Sequence, residues 1–336
     1  MPILFILKAR EAIHAAMACQ YDERSRASMI SQSRYSSRSL GRSILICVCL
    51  LSFGHLGVFQ TGPASAEPVP WERLTAGMHV ALWNPIEACP QVPSLLMLQV
   101  DPERYRFSIH QFRDEGLRAP ISIHDWQQRT DAYVLFNAGL FREDYSYLGV
   151  LLKEGRSLGS KKHHSWQGLF AAEPTDGKLR KARVLDLAFE GFTEDAPLYR
   201  EAAQSLMLFD RTGKLRVRDS GKRAFQTVVA EDGQGAILVI KTADVVSLHH
   251  LADCLHRQLP ALQQAMAMDG GASSDVIASP DLLHAAQETT SQAGWRSLLA
   301  GTMGVHIPLP TVIGISPRTP ARGAPAADPS HSTRGR

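Results

Sequence analysis

One carboxylate, Asp269, ends an apolar run and is followed at once by two glycines and two serines, in the sequence AMAMDGGASS. An apolar strand that ends in a carboxylate holds it at a sheet edge, where a ligand can reach it. Gly270 and Gly271 lack Cβ atoms, so the backbone can adopt positive φ and a substrate can approach closely. Successive amides in such a turn can bind an anion, and Ser273 and Ser274 add hydroxyl donors. The stretch predicts an acid or base beside a phosphate or sugar site, with a plain Asp-Gly turn as the alternative.

A second stretch, FNAGLF, has the same organisation. An apolar strand ends in the amide of Asn137, and a small residue, Gly139 and the aromatic Phe141 follow. The amide can donate and accept hydrogen bonds, which suits sugar hydroxyls, and the aromatic ring could stack on a sugar. A capped strand with a phenylalanine in the core explains the same residues without a ligand.

The elements that must position these stretches are mostly short strands and hairpins. Alternating or continuous apolar residues predict strands at 79–83, 94–100, 105–112, 132–139 and 265–271. Turn signals at KEGR, TDGK and EDGQG predict hairpins over 148–158, 168–187 and 225–242. The segment 196–210 is predicted to begin as a helix and end as a strand, and leucines at helical spacing predict a helix over 245–262. The predicted class is α+β: a mixed, mostly antiparallel β-sheet with flanking helices in a single domain.

Both ends of the chain are predicted to lie outside the folded domain. Residues 1–66 combine basic residues, a short apolar core and a small-x-small cleavage site, which is typical of a secretory signal peptide. A start at Met29 would make its basic region compact, and an uncleaved anchor is the weaker alternative. The Pro-, Ala- and Arg-rich segment 313–336 is predicted to be disordered, which leaves 67–312 as the domain. A periplasmic or secreted protein follows, with no stable membrane anchor after signal cleavage.

Cysteine usage agrees with export. Three of the five cysteines fall within the predicted signal peptide, and Cys89 and Cys254 remain. Two cysteines permit one disulfide in an oxidising compartment. A buried Cys254 thiol that acts as a small hydrophobic residue explains the sequence equally well.

Composition and missing motifs exclude several functional classes. The chain is 44% hydrophobic and 21% charged with a net charge of +3, which is ordinary for a soluble globular protein. Much of the positive excess comes from arginines near the two ends, so no nucleic-acid partner is predicted. The sequence has no P-loop, dinucleotide fingerprint or Gly-x-Ser-x-Gly elbow, and no cofactor is predicted.

Two histidine clusters have alternative interpretations. His250 and Cys254 are four residues apart on the predicted helix, as metal ligands can be. Leucines share that face, so we predict a core helix and no metal site. The loop KKHHSW could close over an anionic substrate through its lysines and histidines, His164 among them, or could be a solvated loop.

Five motifs, each weak alone, follow one another in a specific order. They are NAGLF (137–141), LGVLLKEG (148–155), QSLMLFDRTGKL (204–215), TVVAEDGQGAILVI (227–240) and AMAMDGGASS (265–274). In this order they resemble the phosphodiester glycosidase family, and the resemblance covers roughly 130–290. The chain departs from the family pattern in reading QSLM where members usually have Gln-Ser-Gly-Pro. It also has Gln226 and Ala230 where members usually have Arg and Gly.

The resemblance implies cleavage of a glycosidic bond whose leaving group is a phosphate ester. Because such a group departs readily as an anion, general-acid help matters less than stabilising an oxocarbenium-like transition state and activating water or forming a covalent adduct. Asp269 is the predicted carboxylate, and Asn137 is predicted to orient the sugar. The residues predicted to contact sugar or phosphate are Gly139, Phe141, His164, Arg223, Gly270, Gly271, Ser273 and Ser274. Candidates for a second carboxylate are Glu143, Asp144 and Glu173.

The predicted function is hydrolysis of a sugar-1-phosphodiester from envelope or extracellular glycan. A non-catalytic periplasmic module that binds anionic glycan is the alternative, and it gains if neither Arg223 nor another cation reaches the Asp269 loop. A structural protein without a ligand is the third possibility, and it predicts no pocket where 137–141 meets 269–274. The sequence leaves the sugar, the aglycone and the oligomeric state open.

Overall fold

In the part of the chain that the structure describes, fifteen strands and four α-helices follow from the short apolar runs and the turn signals between them. The computed structural model describes residues 69–287, 294–302 and 306–318. The strands are β1 (Glu72–Thr75), β2 (Met78–Trp83), β3 (Leu95–Val100), β4 (Tyr105–Gln111), β5 (Val134–Asn137), β6 (Leu151–Lys153), β7 (Arg156–Ser157), β8 (Gly168–Pro174), β9 (Ala182–Asp186), β10 (Tyr199–Phe209), β11 (Thr227–Asp232), β12 (Ile237–Thr242), β13 (Leu262–Ala267), β14 (Val276–Ala278) and β15 (Thr311–Pro317). The helices are α1 (Ile123–Arg129), α2 (Leu248–Gln258), α3 (Pro280–Gln287) and α4 (Gly294–Leu299).

The strands form two sheets. The larger has eleven strands, with the order β1-β2-β3-β12-β11-β13-β10-β6-β7, and β8 and β9 continue from β10. The smaller has the order β14-β5-β15-β4. Every strand pair within the described ranges is antiparallel, so the mostly antiparallel prediction is confirmed and its mixed component is wrong. With few helices beside these sheets, the fold is dominated by β-structure.

The two faces of the larger sheet bury different neighbours, because strand side chains alternate between faces. One face packs against the smaller sheet, where Leu98 of β3 and Met266 of β13 share a core with Phe107 of β4. The other face packs against α2, whose Leu251 and Leu255 are fully buried. The larger sheet is therefore sandwiched between the smaller sheet and the amphipathic helix.

A disulfide joins the loop after β2 to α2. Cys89 and Cys254 have Cα atoms 5.9 Å apart and lie in the core between sheet and helix. The structure thus resolves the choice that the sequence left open between a bridge and a buried thiol. Because its sulfur is used in this bond, Cys254 is not available as a metal ligand.

Three predicted hairpins are present: β6 with β7, β8 with β9, and β11 with β12. The segment 196–210 differs from its prediction, because β10 is extended from Tyr199 to Phe209 and contains no helix. Its helix-favouring residues are held in a strand by pairing with β6 on one side and with β8 and then β13 on the other. Tertiary pairing has overridden local helix propensity here.

The C-terminal end of the fold extends beyond the predicted domain end at 312. Strand β15 continues to Pro317 and pairs with both β4 and β5, with its residues buried up to Ser316. The apolar run TVIGIS is therefore a central strand of the smaller sheet. The predicted signal peptide, and the predicted disordered segment after 318, lie outside the described residues.

All described residues belong to one compact unit. None of the helices that the structure describes is long and apolar enough to cross a membrane.

A buried carboxylate, Glu201 of β10, links two neighbouring segments. Its oxygens accept hydrogen bonds from the backbone N–H groups of Ile109 and Glu154, at 2.9 and 3.0 Å. Burial raises the pKa of Glu201 to about 7, with the two N–H donors acting in the opposite direction. The protonated form is favoured by folding, so its stabilisation is present at acidic pH and is lost as pH rises through 7.

Glu201→Gln is therefore expected to change the pH dependence of stability. Between pH 6 and pH 8 the wild type should lose about 1 kcal/mol of unfolding free energy that the variant, which cannot titrate there, does not lose. Urea unfolding of both proteins at the two pH values measures this difference. An equal change in both proteins would show that the Glu201 carboxyl does not titrate in this window.

Candidate active site

The stretches that begin at Asn137 and Asp269 meet where the smaller sheet joins the larger one. Strand β5 of the smaller sheet ends at Asn137, and β13 of the larger sheet leads into Asp269. The backbone N–H of Asp269 donates to the carbonyl of Ala138 at 3.1 Å. The side-chain amide of Asn137 donates to the Asp269 carbonyl at 2.7 Å, and its oxygen accepts the Asp275 N–H at 3.0 Å. Residues 132 positions apart are thus joined through backbone and side-chain hydrogen bonds.

Asn137 holds the loop that carries Asp269, and it does not present its amide to a ligand. Its side chain is 1% exposed, and all of its hydrogen-bond partners are backbone groups, of Ala138, Asp269 and Asp275. The predicted role in orienting the sugar directly is therefore replaced by a positioning role. An amide suits this position because one side chain both donates and accepts.

The Asp269 carboxyl is partly buried at the end of β13. Burial raises the pKa of Asp269 to about 6, while hydrogen bonds from the Ser273 hydroxyl and the Gly270 N–H act in the opposite direction. Asp269 therefore changes charge within the range in which a general base or nucleophile operates. Gly270 and Ser273, two of the predicted contact residues, thus donate hydrogen bonds to this carboxyl.

A buried tyrosine, missed by the sequence analysis, lies beside this carboxyl. The Tyr147 hydroxyl donates to the Gln204 carbonyl at 2.9 Å and accepts the Gly139 N–H at 3.0 Å. Burial raises the pKa of Tyr147, and the charge of Asp269 adds to the rise. The phenol therefore stays protonated near the carboxylate. Its place after the FNAGLF motif was a weak sequence signal.

Gly139 is required by this close packing and does not face a substrate. It is buried, and a Cβ atom at this position would lie 2.3 Å from the Tyr147 hydroxyl oxygen and 2.7 Å from the Gln204 carbonyl oxygen. The predicted contact with the substrate is corrected to a contact within the fold. Phe141, two residues on, is partly exposed and bridges to Tyr147 through its backbone.

Gln204, the first residue of the QSLM segment, ties the basic loop KKHHSW to β10. Its side-chain oxygen accepts the N–H of His163 at 2.8 Å, and its NH₂ group donates to the His163 carbonyl at 2.8 Å. The His163 ring stacks on Trp166 at 4.0 Å and on His164 at 5.2 Å between ring centroids. His164 is exposed at the end of this stack, and within the described residues none of its hydrogen bonds or ring contacts reaches the Asp269 loop.

A cavity of about 690 Å³ lies beside the loop that follows Asp269. Its lining includes three of the predicted phosphate-binding residues, Arg223, Gly271 and Ser274. Gly271 has φ +69° and open space where a Cβ atom would point, so glycine both permits the turn and leaves room for a ligand. The structure thus brings the Arg223 cation to the wall of the same cavity as the glycine-serine loop.

A charged network that the sequence analysis missed borders the cavity. Asp275 accepts from the Lys241 ammonium group at 3.1 Å and interacts with the His306 ring at 2.5 Å. All three residues line the cavity with Arg223. Asp275 directly follows the DGGASS motif, but Lys241 on β12 and His306 before β15 come from distant segments, so only the fold could reveal the cluster.

Gln226, at the position where the resemblance implies an arginine, lies against the glycine after Asp269. A Cβ atom on Gly270 would lie 2.8 Å from the Gln226 side-chain oxygen. The amide of Gln226 donates to the Ala224 carbonyl at 3.2 Å. A neutral amide therefore lies beside the glycine that follows Asp269.

The three candidates for a second carboxylate lie elsewhere. Glu173 forms a two-pronged ion pair with Arg318, with both N–O distances 2.7 Å. Asp144 accepts from Ser146 on the loop between β5 and β6, and Glu143 beside it is exposed. In the part of the chain that the structure describes, none of the three has a hydrogen bond or ion pair with the loop 269–275.

Comparison with known proteins identifies the family of this chain. The family model for phosphodiester glycosidases matches residues 130–315, which contain both the Asn137 and the Asp269 stretches. The chain belongs to the phosphodiester glycosidase family. No curated protein sequence matches it. This family assignment confirms the resemblance drawn from the order of the five motifs.

The solved structures that match include three distantly similar ones. The catalytic domain of zebrafish N-acetylglucosamine-1-phosphodiester alpha-N-acetylglucosaminidase, auto-inhibited by its pro-peptide, is 13% identical with a TM-score of 0.47, over 67% of this chain and 78% of that one. A hypothetical protein from Synechocystis is 12% identical with a TM-score of 0.49, over 76% and 65%. A putative exported protein from Burkholderia pseudomallei is 11% identical with a TM-score of 0.40, over 66% and 74%.

Proposed function

We propose that this phosphodiester glycosidase family member hydrolyses the glycosidic bond of a sugar-1-phosphodiester from envelope or extracellular glycan. One observation carries the proposal. A carboxyl with a pKa of about 6, Asp269, begins a loop whose following residues form the wall of a cavity together with Arg223 and Lys241. The proposal places the protein in the periplasm or outside the cell, after loss of the predicted signal peptide.

The chemistry needs one well-placed carboxylate. A phosphate ester leaves as a stable anion, so the bond can break without a strong acid at the leaving oxygen. The remaining tasks are to stabilise positive charge on the sugar and to activate water or form a covalent adduct. Above pH 6 Asp269 is ionised, which suits either role.

The phosphate is proposed to occupy the cationic cavity. Arg223 lies on the segment before β11, and one of its guanidinium nitrogens donates to the Val245 carbonyl at 2.9 Å, which fixes its direction. Its other N–H groups can bind phosphate oxygens, as guanidinium groups do. Arg223 thereby supplies the positive charge that Gln226 does not.

Arg223→Ala is expected to weaken substrate binding more than it slows the chemical step. Loss of a charge-assisted hydrogen bond to phosphate should raise KM roughly ten- to hundred-fold, with a smaller effect on kcat. Purified protein is assayed for release of sugar from a panel of sugar-1-phosphodiesters. Arg129→Ala, which removes an exposed arginine of α1, is the matched control and should leave both constants unchanged.

The same panel tests the rival function. The neutral Gln226 beside Gly270 favours a module that binds anionic glycan without cleaving it. Binding of sugar phosphates with no turnover on any substrate would support that rival. Turnover that does not respond to Arg223→Ala would remove Arg223 from the phosphate site.

A further inference from the structure

A cluster of three metal-ligating side chains lies apart from Asp269. Asp219, His249 and His250 each offer one ligand atom, and the three atoms lie within 4.8 Å of one another. The histidines occupy the first turn of α2, and Asp219 lies on the segment between β10 and β11. The two adjacent histidines thus meet a carboxylate from a different part of the chain.

The ring of His250 is oriented as in a metal site. Its Nδ1 lies 2.8 Å from the Ser247 hydroxyl, which turns Nε2 towards Asp219. Metal-bound histidines generally have their second ring nitrogen held by such a partner. The Nε2–Oδ2 distance of 3.9 Å is too long for a hydrogen bond. It is close to the roughly 3.4 Å that separates two ligand atoms of a tetrahedral zinc ion.

One ring nitrogen of His249 has no hydrogen-bond partner among the described residues. Its Nδ1 is buried and has no hydrogen-bond partner in the described part of the chain. Its ring lies edge-on to that of His250, with centroids 5.8 Å apart. A buried polar atom without a partner is unfavourable in a folded protein, and coordination of an ion by that nitrogen would satisfy it.

We propose that Asp219, His249 and His250 bind a zinc ion. Two imidazole nitrogens and one carboxylate oxygen form a ligand set that zinc favours, with a fourth position open to water. Asp219 is exposed and both histidines are partly exposed, so an ion can enter directly from solvent. The assignment does not depend on the glycosidase proposal.

A zinc ion at this site would connect the segment that carries Arg223 to α2, the helix that the disulfide anchors. Arg223 follows Asp219 by four residues and lines the cavity, and α2 carries the Cys254 end of the disulfide. Between the two, Ala224 already pairs with Val246 through an isolated bridge. Zinc bound to Asp219 and the histidines therefore restrains the segment that carries Arg223.

Titration of the metal-depleted, tag-free protein with zinc chloride in a calorimeter tests the proposal. We expect one zinc ion per chain, and at least a tenfold higher Kd in His249→Ala and in Asp219→Asn. His284→Ala, which removes an exposed histidine of α3, should bind as the wild type does. Asp219→Asn alters an exposed loop, so this variant should fold as the wild type does. Thermal unfolding of each apo variant checks this expectation.

Hydrogen exchange gives a second, independent measurement. Zinc should slow amide exchange in the peptide that spans 211–224 of the wild type, and should have no effect there in His249→Ala. A contact between the His250 ring and Asp219 without a metal is the competing explanation. Absence of stoichiometric binding at micromolar zinc, or binding that survives both substitutions, would overturn the assignment.

Discussion

Asp269→Asn is expected to lower kcat for hydrolysis of a sugar-1-phosphodiester by roughly 10²–10⁴-fold, the range typical for removal of a general base. The amide has the size and shape of the carboxyl group and can still accept from the Ser273 hydroxyl. The fold and the cavity should therefore persist, so the loss should appear in kcat rather than in KM.

The pH dependence of the same enzyme provides an independent test of Asp269. Because its pKa is raised to about 6, kcat/KM of the wild type should fall on the acidic side of about pH 6, as the carboxylate takes up a proton. Protonation of the Asp269 carboxylate lowers activity, but it raises the free energy of unfolding. A raised pKa means that the ionised form is disfavoured by folding, so Asp269→Asn should raise Tm at pH 8 and have little effect at pH 4.

Asp281→Asn is the matched control for this substitution, since it removes an exposed carboxylate from the first turn of α3. It should leave kcat, the acidic limb and the Tm difference between pH 4 and pH 8 unchanged. If Asp269→Asn keeps more than about a tenth of the wild-type kcat, the carboxylate is not a base or nucleophile.

Local signals in the sequence were enough to predict much of the architecture. Turn dipeptides flanked by apolar runs specified the hairpins, and leucine spacing specified α2, because these features depend on neighbours within a few residues. The order of five motifs also brought Asn137 and Asp269 into one site. The two stretches meet because each begins where a buried strand ends, with Asn137 closing β5 and Asp269 two residues after the end of β13.

The parts that could not be predicted depend on distant pairing. β10 contains helix-favouring residues, and only its strand neighbours decide its conformation. The cluster of Lys241, Asp275 and His306 joins three segments that share no local pattern. Gly139 was predicted to face a substrate. In the sequence, a glycine needed to avoid a clash with a tyrosine hydroxyl cannot be distinguished from one that leaves room for a ligand.

Asn137→Ala is expected to destabilise the protein by roughly 1–3 kcal/mol and to lower activity at the same time. The substitution leaves the Asp275 N–H and the Asp269 carbonyl without their side-chain partner, and the first of these is buried. Each unsatisfied buried backbone group costs about 1–3 kcal/mol. Urea unfolding measures the loss, and Asn84→Ala, at an exposed asparagine, should cost less than about 0.5 kcal/mol.

Activity of the Asn137→Ala protein separates a positioning role from a purely structural one. Without the amide clamp the loop 269–275 can move away from β5, and water can reach the Asp269 carboxyl. Because burial is the main cause of its raised pKa, hydration should shift the acidic limb of kcat/KM below pH 6, towards the ordinary range of an aspartate. Lower stability with an unmoved acidic limb, measured well below the unfolding temperature, would instead restrict Asn137 to holding the two sheets together.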